Sequence, residues 1–162
     1  IMKLEKAIFA CGCFWGAQYQ FEHAKGVVRS TVGYIGGHKE HPAYEEVKAH
    51  TTGHAEATLV EFDAEQTSFT ELCKLFFEIH DPAQTDGQGP DIGPQYRSEI
   101  FYLNDKQKEE AEAVIALLRR KGYEVNTKLT SATTFWEGEE YHQHYYDKTG
   151  GEPYCHIRIK KF

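Results

Sequence analysis

The chain has 162 residues, of which 40% are hydrophobic, and a net charge of −7 at pH 7. Its length bounds one domain with a substantial core, and its composition excludes disorder. The acidic balance excludes a nucleic-acid binder that works by phosphate neutralisation; with no apolar run long enough to span a membrane and no signal-peptide pattern, a monomeric cytoplasmic protein is expected.

Taken in order, Leu4 to Ala10 reads as a buried strand. A helix is expected from near Cys13 to about His23, and a β-rich run from Val27 to Ile35. Residues 36–54 read as a long polar loop, followed by a strand from Ala55 to Phe62. Ser68 caps a helix that runs through Ile79, with Leu72, Leu75, Phe76 and Ile79 at helical spacing. Residues 80–96 hold three prolines and three glycines, so no regular element is expected there. Long loops of this kind in small domains are usually functional. Ser98 to Leu103 is the next strand, and Asn104 caps a helix through Lys121 that stops at Gly122. Lys128 to Thr134 reads as a strand, Glu139 to Asp147 as a short helix and Lys148 to Phe162 as an irregular tail. The order β-α-β-β-α-β-α-β predicts an α+β two-layer sandwich with a ferredoxin-like split βαβ core.

The most informative string is Gly12-Cys13-Phe14-Trp15-Gly16. A cysteine at a helix N-terminus meets the positive end of the helix dipole and unpaired N–H groups, which favours the thiolate. The flanking glycines indicate close backbone approach, and Phe14 and Trp15 can line an apolar pocket. A buried core cysteine is the competing reading.

The other cysteines are Cys11, Cys73 and Cys155. Their spacing matches neither a disulfide framework nor paired zinc knuckles, and fits a reducing compartment. Cys11 and Cys13 are expected on one side of a strand, with Cα atoms near the upper limit for a disulfide. Cys73 reads as a core residue. Cys155 follows Gly150-Gly151-Glu152-Pro153-Tyr154, a composition that lets it swing towards Cys13. An oxidised cysteine needs a second thiol for regeneration, which favours that role over a spectator thiol.

Glu56 would be solvent-facing by default. Inside an aromatic pocket, desolvation would keep it protonated and able to donate to an oxygen that gains charge. Tyr44 and Tyr96 lie on the two long loops and Asp91 on the second; their phenols can hold a substrate oxygen or simply pack at the surface. His142-Gln143-His144 suggests a metal, yet an i,i+2 pair does not face one way on a helix, and no zinc spacing flanks it. Two other readings stay open: a Cys-His hydrolase pairing Cys13 with His142 or His54, and a peptide-binding module built on Phe14, Trp15 and the tyrosines.

Nearly the whole chain resembles the peptide methionine sulfoxide reductase A family. The resemblance rests on GCFWG at 12–16, Ala43-Tyr44-Glu45-Glu46-Val47, GHAE at 53–56 and Phe77-Glu78-Ile79-His80-Asp81-Pro82. It extends through Gln88-Gly89-Pro90-Asp91-Ile92-Gly93, Gln95-Tyr96-Arg97-Ser98 and Glu140-Tyr141-His142-Gln143. It implies one reductase domain over residues 1–162, with 148–162 as a tail carrying the resolving cysteine. It implies Cys13 as nucleophile, Glu56 as acid, and Tyr44, Tyr96 and Asp91 around the sulfoxide oxygen. Gly12, Phe14 and Trp15 join these in the substrate site. The implied substrate is methionine-S-sulfoxide, free or in proteins, the implied reductant thioredoxin, with no metal or organic cofactor. Cys11, Ala83 and Asp86-Gly87 depart from the family pattern. Cys155 is the one cysteine in the tail, so a relay through two tail cysteines would need Cys11 or Cys73.

Overall fold

A computed structural model describes residues 3–151, 153 and 156–162. Strand β1 (Leu4–Cys11) is apolar from Ala7 onward because both of its faces are covered. Ala7, Phe9 and Cys11 face a cluster that includes Phe21, Phe69, Leu72 and Phe76, whereas Ile8 and Ala10 face Ile35, Ala55, Ala57 and Phe101.

Helix α1 (Phe14–Glu22) follows, then β2 (Val27–Ile35) and β3 (Ala55–Asp63). β3 pairs antiparallel with both β1 and β2, so β1 and β2 run parallel with β3 between them. This is the expected split βαβ unit. Helix α3 (Phe69–Glu78) leads through the second loop to β6 (Ser98–Tyr102), which pairs antiparallel with β1. Helix α4 (Asp105–Arg120) leads to β7 (Lys128–Ser131), parallel to β6. A short β8 (Trp136–Glu137) closes the other edge against β2. The sheet order is β7-β6-β1-β3-β2-β8, and its four central strands have the ferredoxin-like order.

The expected caps hold. Ser68 Oγ accepts from Glu71 N at 3.1 Å, and Asn104 Oδ1 from Gln107 N at 2.9 Å. Gln107 Nε2 then donates to Lys6 O at 2.7 Å, tying α4 to β1.

Other expectations need correction. The first long loop contains helix α2 (Tyr44–Lys48). The second contains a hairpin, β4 (Gly87–Gln88) with β5 (Asp91–Ile92), and a 3₁₀ turn, Pro94–Tyr96. Glycine and proline set those tight turns instead of abolishing order. The strand expected to reach Thr134 ends at Ser131, and β8 follows unforeseen. The helix expected over Glu139–Asp147 is a 3₁₀ turn at Glu140–His142 and helix α5 (Tyr145–Thr149), broken by His144 in the left-handed region at φ 55°. Cys11 ends β1, and Gly12 at φ 102° turns the chain, so Cys13 does not share a strand face with it.

Residues 156–162 have no regular structure but are held down. His156 is buried, Ile159 N donates to Glu78 O, and Glu78 accepts from Arg158 Nε, Arg158 Nη2 and Lys161 N. The predicted resolving residue, Cys155, lies outside the described residues. Among the described residues, no helix is long and apolar enough to cross a membrane.

Candidate active site

Cys13 is the N-cap residue of α1 and is half-buried. The N-terminal dipole of that helix favours its thiolate. The two flanking glycines make close approach possible. A Cβ on Gly12 would lie 2.8 Å from Gln88 Cβ, and one on Gly16 would lie 2.3 Å from His156 Nδ1.

The sheet register places Glu56 under this helix start. Glu56 is opposite Tyr34, and Thr58 is opposite both Phe9 and Val32, so Glu56 shares the helix-covered face with them. Its Oε1 accepts from Phe14 N at 3.2 Å, whereas Oε2 has no hydrogen-bond partner among the described residues. Burial pushes its pKa up to about 8; the Phe14 N–H pulls the other way, and the charge of Asp91 adds to the rise. Glu56 is therefore mostly protonated at neutral pH. Oε2 is the oxygen left to carry the proton.

Tyr44 begins α2, Tyr96 ends the 3₁₀ turn and Asp91 lies on β5. Burial and then the Glu56 charge raise the Tyr44 pKa to about 12 and push that of Tyr96 further up. Both phenols stay protonated and can donate. Cys13 also acts electrostatically on both, and Asp91 on Tyr96 and Glu56. The fold thus brings together Cys13, Glu56, Tyr44, Tyr96 and Asp91 from separate elements.

The apolar wall is Phe14 and Trp15. Phe14 is buried, with its ring centroid 5.7 Å from Tyr34 and 6.4 Å from Tyr44. Trp15 stacks on Tyr145 at 3.8 Å and 7°, and its Nε1–H donates to His142 Nδ1 at 2.9 Å. Burial lowers the pKa of His142, which keeps the ring neutral with Nδ1 as acceptor.

His142 and His144 do not converge. His144 Nδ1 is 2.5 Å from Glu22 Oε2, at the far end of α1. There Glu22, His144 and Asp147 place ligand atoms within 4.8 Å of one another, away from Cys13. The Cys-His pairing finds no support either. His54 uses both ring nitrogens on the loop backbone, with Gly37 N at 3.0 Å and Lys39 O at 2.7 Å. Among the described residues, His142 Nε2 has no hydrogen-bond partner.

Several residues of the site carried no recognised signal. Glu139 accepts from Tyr34 Oη at 2.7 Å and from Tyr44 N at 2.9 Å, fixing the start of α2. Burial opposes its ionisation, but these two bonds hold its pKa below the usual value. Tyr34 sits in a β-rich run, and Glu139 and Tyr145 in a segment read as one short helix; only distant contacts reveal their use.

Comparison with known proteins agrees with this geometry. The family profile described as peptide methionine sulfoxide reductase matches residues 5–162. The peptide methionine sulfoxide reductase MsrA of Geobacter sulfurreducens is 48% identical over 151 residues, covering 91% of this chain and 93% of the relative. The structure of reduced Mxr1 from Saccharomyces cerevisiae superposes with a TM-score of 0.88 at 34% identity, covering 96% of this chain and 92% of the other. Mxr1 in complex with Trx2 gives a TM-score of 0.63 at 23% identity, covering 99% of this chain and 91% of the other. With a half-buried thiol at a helix start, a protonated carboxyl beside it and an aromatic wall, the chain belongs to the peptide methionine sulfoxide reductase family.

Proposed function

We propose that Cys13 reduces methionine-S-sulfoxide, free or in oxidised proteins, by direct attack on the sulfoxide sulfur. The observation that carries this reading is Glu56, buried against the N-terminus of α1 with Oε1 accepting from Phe14 N, where desolvation pushes its pKa up to about 8. As the thiolate attacks, negative charge grows on the sulfoxide oxygen. Glu56 gives that oxygen its proton while Tyr44 and Tyr96 donate hydrogen bonds to it. Burial keeps the Glu56 pKa high, and the charge of Asp91 adds to that rise. Phe14 and Trp15 take the substrate methyl group, and Gly12 lets Gln88 pack against the turn that presents Cys13 to the substrate.

The protonated oxygen then moves from the sulfoxide sulfur to Cys13 Sγ as the newly formed S–S bond breaks, leaving a sulfenic acid on Cys13 and releasing methionine as the thioether. Cys155 attacks that sulfur, forming a 13–155 disulfide and releasing water. A dithiol then reduces the disulfide by exchange. Thioredoxin is the proposed donor, as the yeast relative assembles with Trx2. The two cysteine thiols supply both electrons, so the cycle calls for no resident metal or organic cofactor. A cycle that runs on reduced thiols supports a cytoplasmic setting, and we read residues 1–162 as one monomeric reductase domain.

The test is mass spectrometry of the reduced protein after one equivalent of methionine-S-sulfoxide, without reductant. The wild type should lose two hydrogens, release methionine and give a 13–155 disulfide on peptide mapping. Cys13→Ser should release none, because a hydroxyl is far less nucleophilic at neutral pH. Cys155→Ser should complete one turnover and then stall with thioredoxin. Methionine release by Cys13→Ser would sink the nucleophile assignment.

A further inference from the structure

Tyr44 is half-buried and begins α2, and the first N–H of a helix has no acceptor within that helix. The acceptor comes from 95 positions away: Tyr44 N donates to Glu139 Oε2 at 2.9 Å. The other oxygen, Oε1, accepts from the hydroxyl of the fully buried Tyr34 at 2.7 Å. Glu139 also opens the turn that contains His142, whose N donates to Glu139 O at 3.0 Å. The His142 ring lies 4.3 Å from that of Tyr44, and the Phe14 ring 6.4 Å from it. One turn thus grips Tyr44 twice, by its backbone N–H and by its ring. The turn is itself fixed to β2. Gly138 N donates to Val32 O at 2.8 Å, and the Gln143 side chain accepts from Val32 N and donates to Val32 O, both at 2.9 Å. Val32 and Tyr34 lie two positions apart on that strand and share a face.

We infer that Glu139 is a positioning residue for sulfoxide reduction, joining Tyr34 to the backbone of Tyr44 so that the Tyr44 phenol is held where the substrate oxygen gains charge. This rests on the proposed role of Tyr44 as a donor to that oxygen. Both carboxylate oxygens of Glu139 are spent on these two bonds, so it acts through Tyr44. A carboxylate makes shorter and stronger hydrogen bonds than a neutral acceptor, and this one ties α2 to the sheet. A donor stabilises a developing charge only if it is already aimed at it, and a displacement of about 1 Å can cost on the order of a hundredfold in rate. Phe14 and Trp15 meet the substrate methyl group equally before and during the reaction. Loss of Glu139 should therefore lower the rate at saturation and leave substrate binding almost unchanged.

The test is a double-mutant cycle on the full chain, read as single-turnover methionine release at a series of methionine-S-sulfoxide concentrations. Glu139→Ala should lower the saturating rate roughly 10–100-fold and move the half-saturating concentration by no more than about twofold. Glu139→Gln, whose amide oxygen can still accept from Tyr44 N and whose amide N–H can meet the Tyr34 oxygen, should recover most of that rate. In a Tyr44→Phe background, which has no hydroxyl to aim, Glu139→Ala should cost at most about twofold more. If Glu139→Ala does not fold, Tyr34→Phe carries the same cycle: it frees Oε1 and should slow release about threefold or more beside Tyr44, and not beside Phe at that position. Three outcomes would overturn the inference: a wild-type saturating rate in Glu139→Ala, a weaker half-saturation with the rate unchanged, or a loss just as large in the Tyr44→Phe background. Tyr44→Phe alone tests the reading beneath it. A wild-type rate in that variant rejects Tyr44 as the donor, and the positioning role of Glu139 goes with it.

Discussion

Glu56 shows how one residue's chemistry is decided by competing terms. The Phe14 N–H stabilises the carboxylate, while burial and the Asp91 charge oppose it, and burial wins. The sulfoxide-reduction step should therefore lose rate as pH rises through about 8, where Glu56 loses its proton. Glu56→Gln should slow that step by roughly 10²–10⁴-fold, the usual range for a general acid, and remove the alkaline limb. An unchanged single-turnover rate would reject Glu56 as the acid. Stability carries the same signature. Between the ordinary glutamate value of 4.5 and about 8, the folded chain holds a proton that the unfolded chain has released. Unfolding then releases that proton, so stability falls as pH rises through this window, by up to about 1.4 kcal/mol per pH unit. His80 and His156, whose pKa values burial lowers, contribute in the opposite sense in both proteins, so the difference in stability between wild type and Glu56→Gln, from denaturant titrations at several pH values, should show this slope.

At the scale of elements, the site depends on packing between short pieces. Helix α1 presents Cys13 and Phe14, but its other contacts set where it lies: Gln18 Nε2 donates to Ser30 O, and Gln18 Oε1 accepts from His144 N. Helix α5 places Tyr145 against Trp15, and the turn before it supplies His142. The tail packs its histidine onto Gly16. Gly16→Ala would drive a methyl group to 2.3 Å from the His156 ring. The expected outcome is a loss of roughly 1–3 kcal/mol in stability, the usual cost of overpacking. A variant with the wild-type melting temperature would show that the ring moves aside freely. Cys73 illustrates the opposite case. It is fully buried, and burial pushes its thiol pKa well up, so it stays protonated as the core residue expected.

For the whole molecule, the sheet is the frame that holds four loops to one site. Its central strand β1 is covered on both sides, and Phe9 sits where α1 and α3 meet it. The Phe9 ring stacks with Phe21 at 4.9 Å, Phe76 at 5.3 Å and Phe69 at 5.8 Å. Phe9→Ala should cost about 3–5 kcal/mol, the range for a large core truncation. For a domain of this size that corresponds to a fall of roughly 10 °C in Tm, measurable by calorimetry. A fall of only a degree or two would mean that the surrounding rings collapse to fill the cavity.

The amino-acid order alone marked the longer strands β1, β2, β3, β6 and β7, the capped helices α3 and α4 and the split βαβ order, and it singled out Cys13, because these signals depend on neighbours a few residues apart. Apolar runs mark strands buried on both faces, Ser68 and Asn104 satisfy nearby N–H groups, and glycines beside Cys13 announce close approach. Only the tertiary structure decided what approaches. Gln88 meets Gly12 and His156 meets Gly16, from 76 and 140 positions away. It also decided the state of Glu56, whose proton is held by desolvation from elements that meet only after folding. His142 reads as a candidate ligand in the chain, yet in the fold it accepts the indole N–H of Trp15, 127 positions distant. Periodicity and capping are local properties and can be read in one dimension. Burial, pKa and hydrogen-bond partnership at the site belong to surfaces assembled from distant segments.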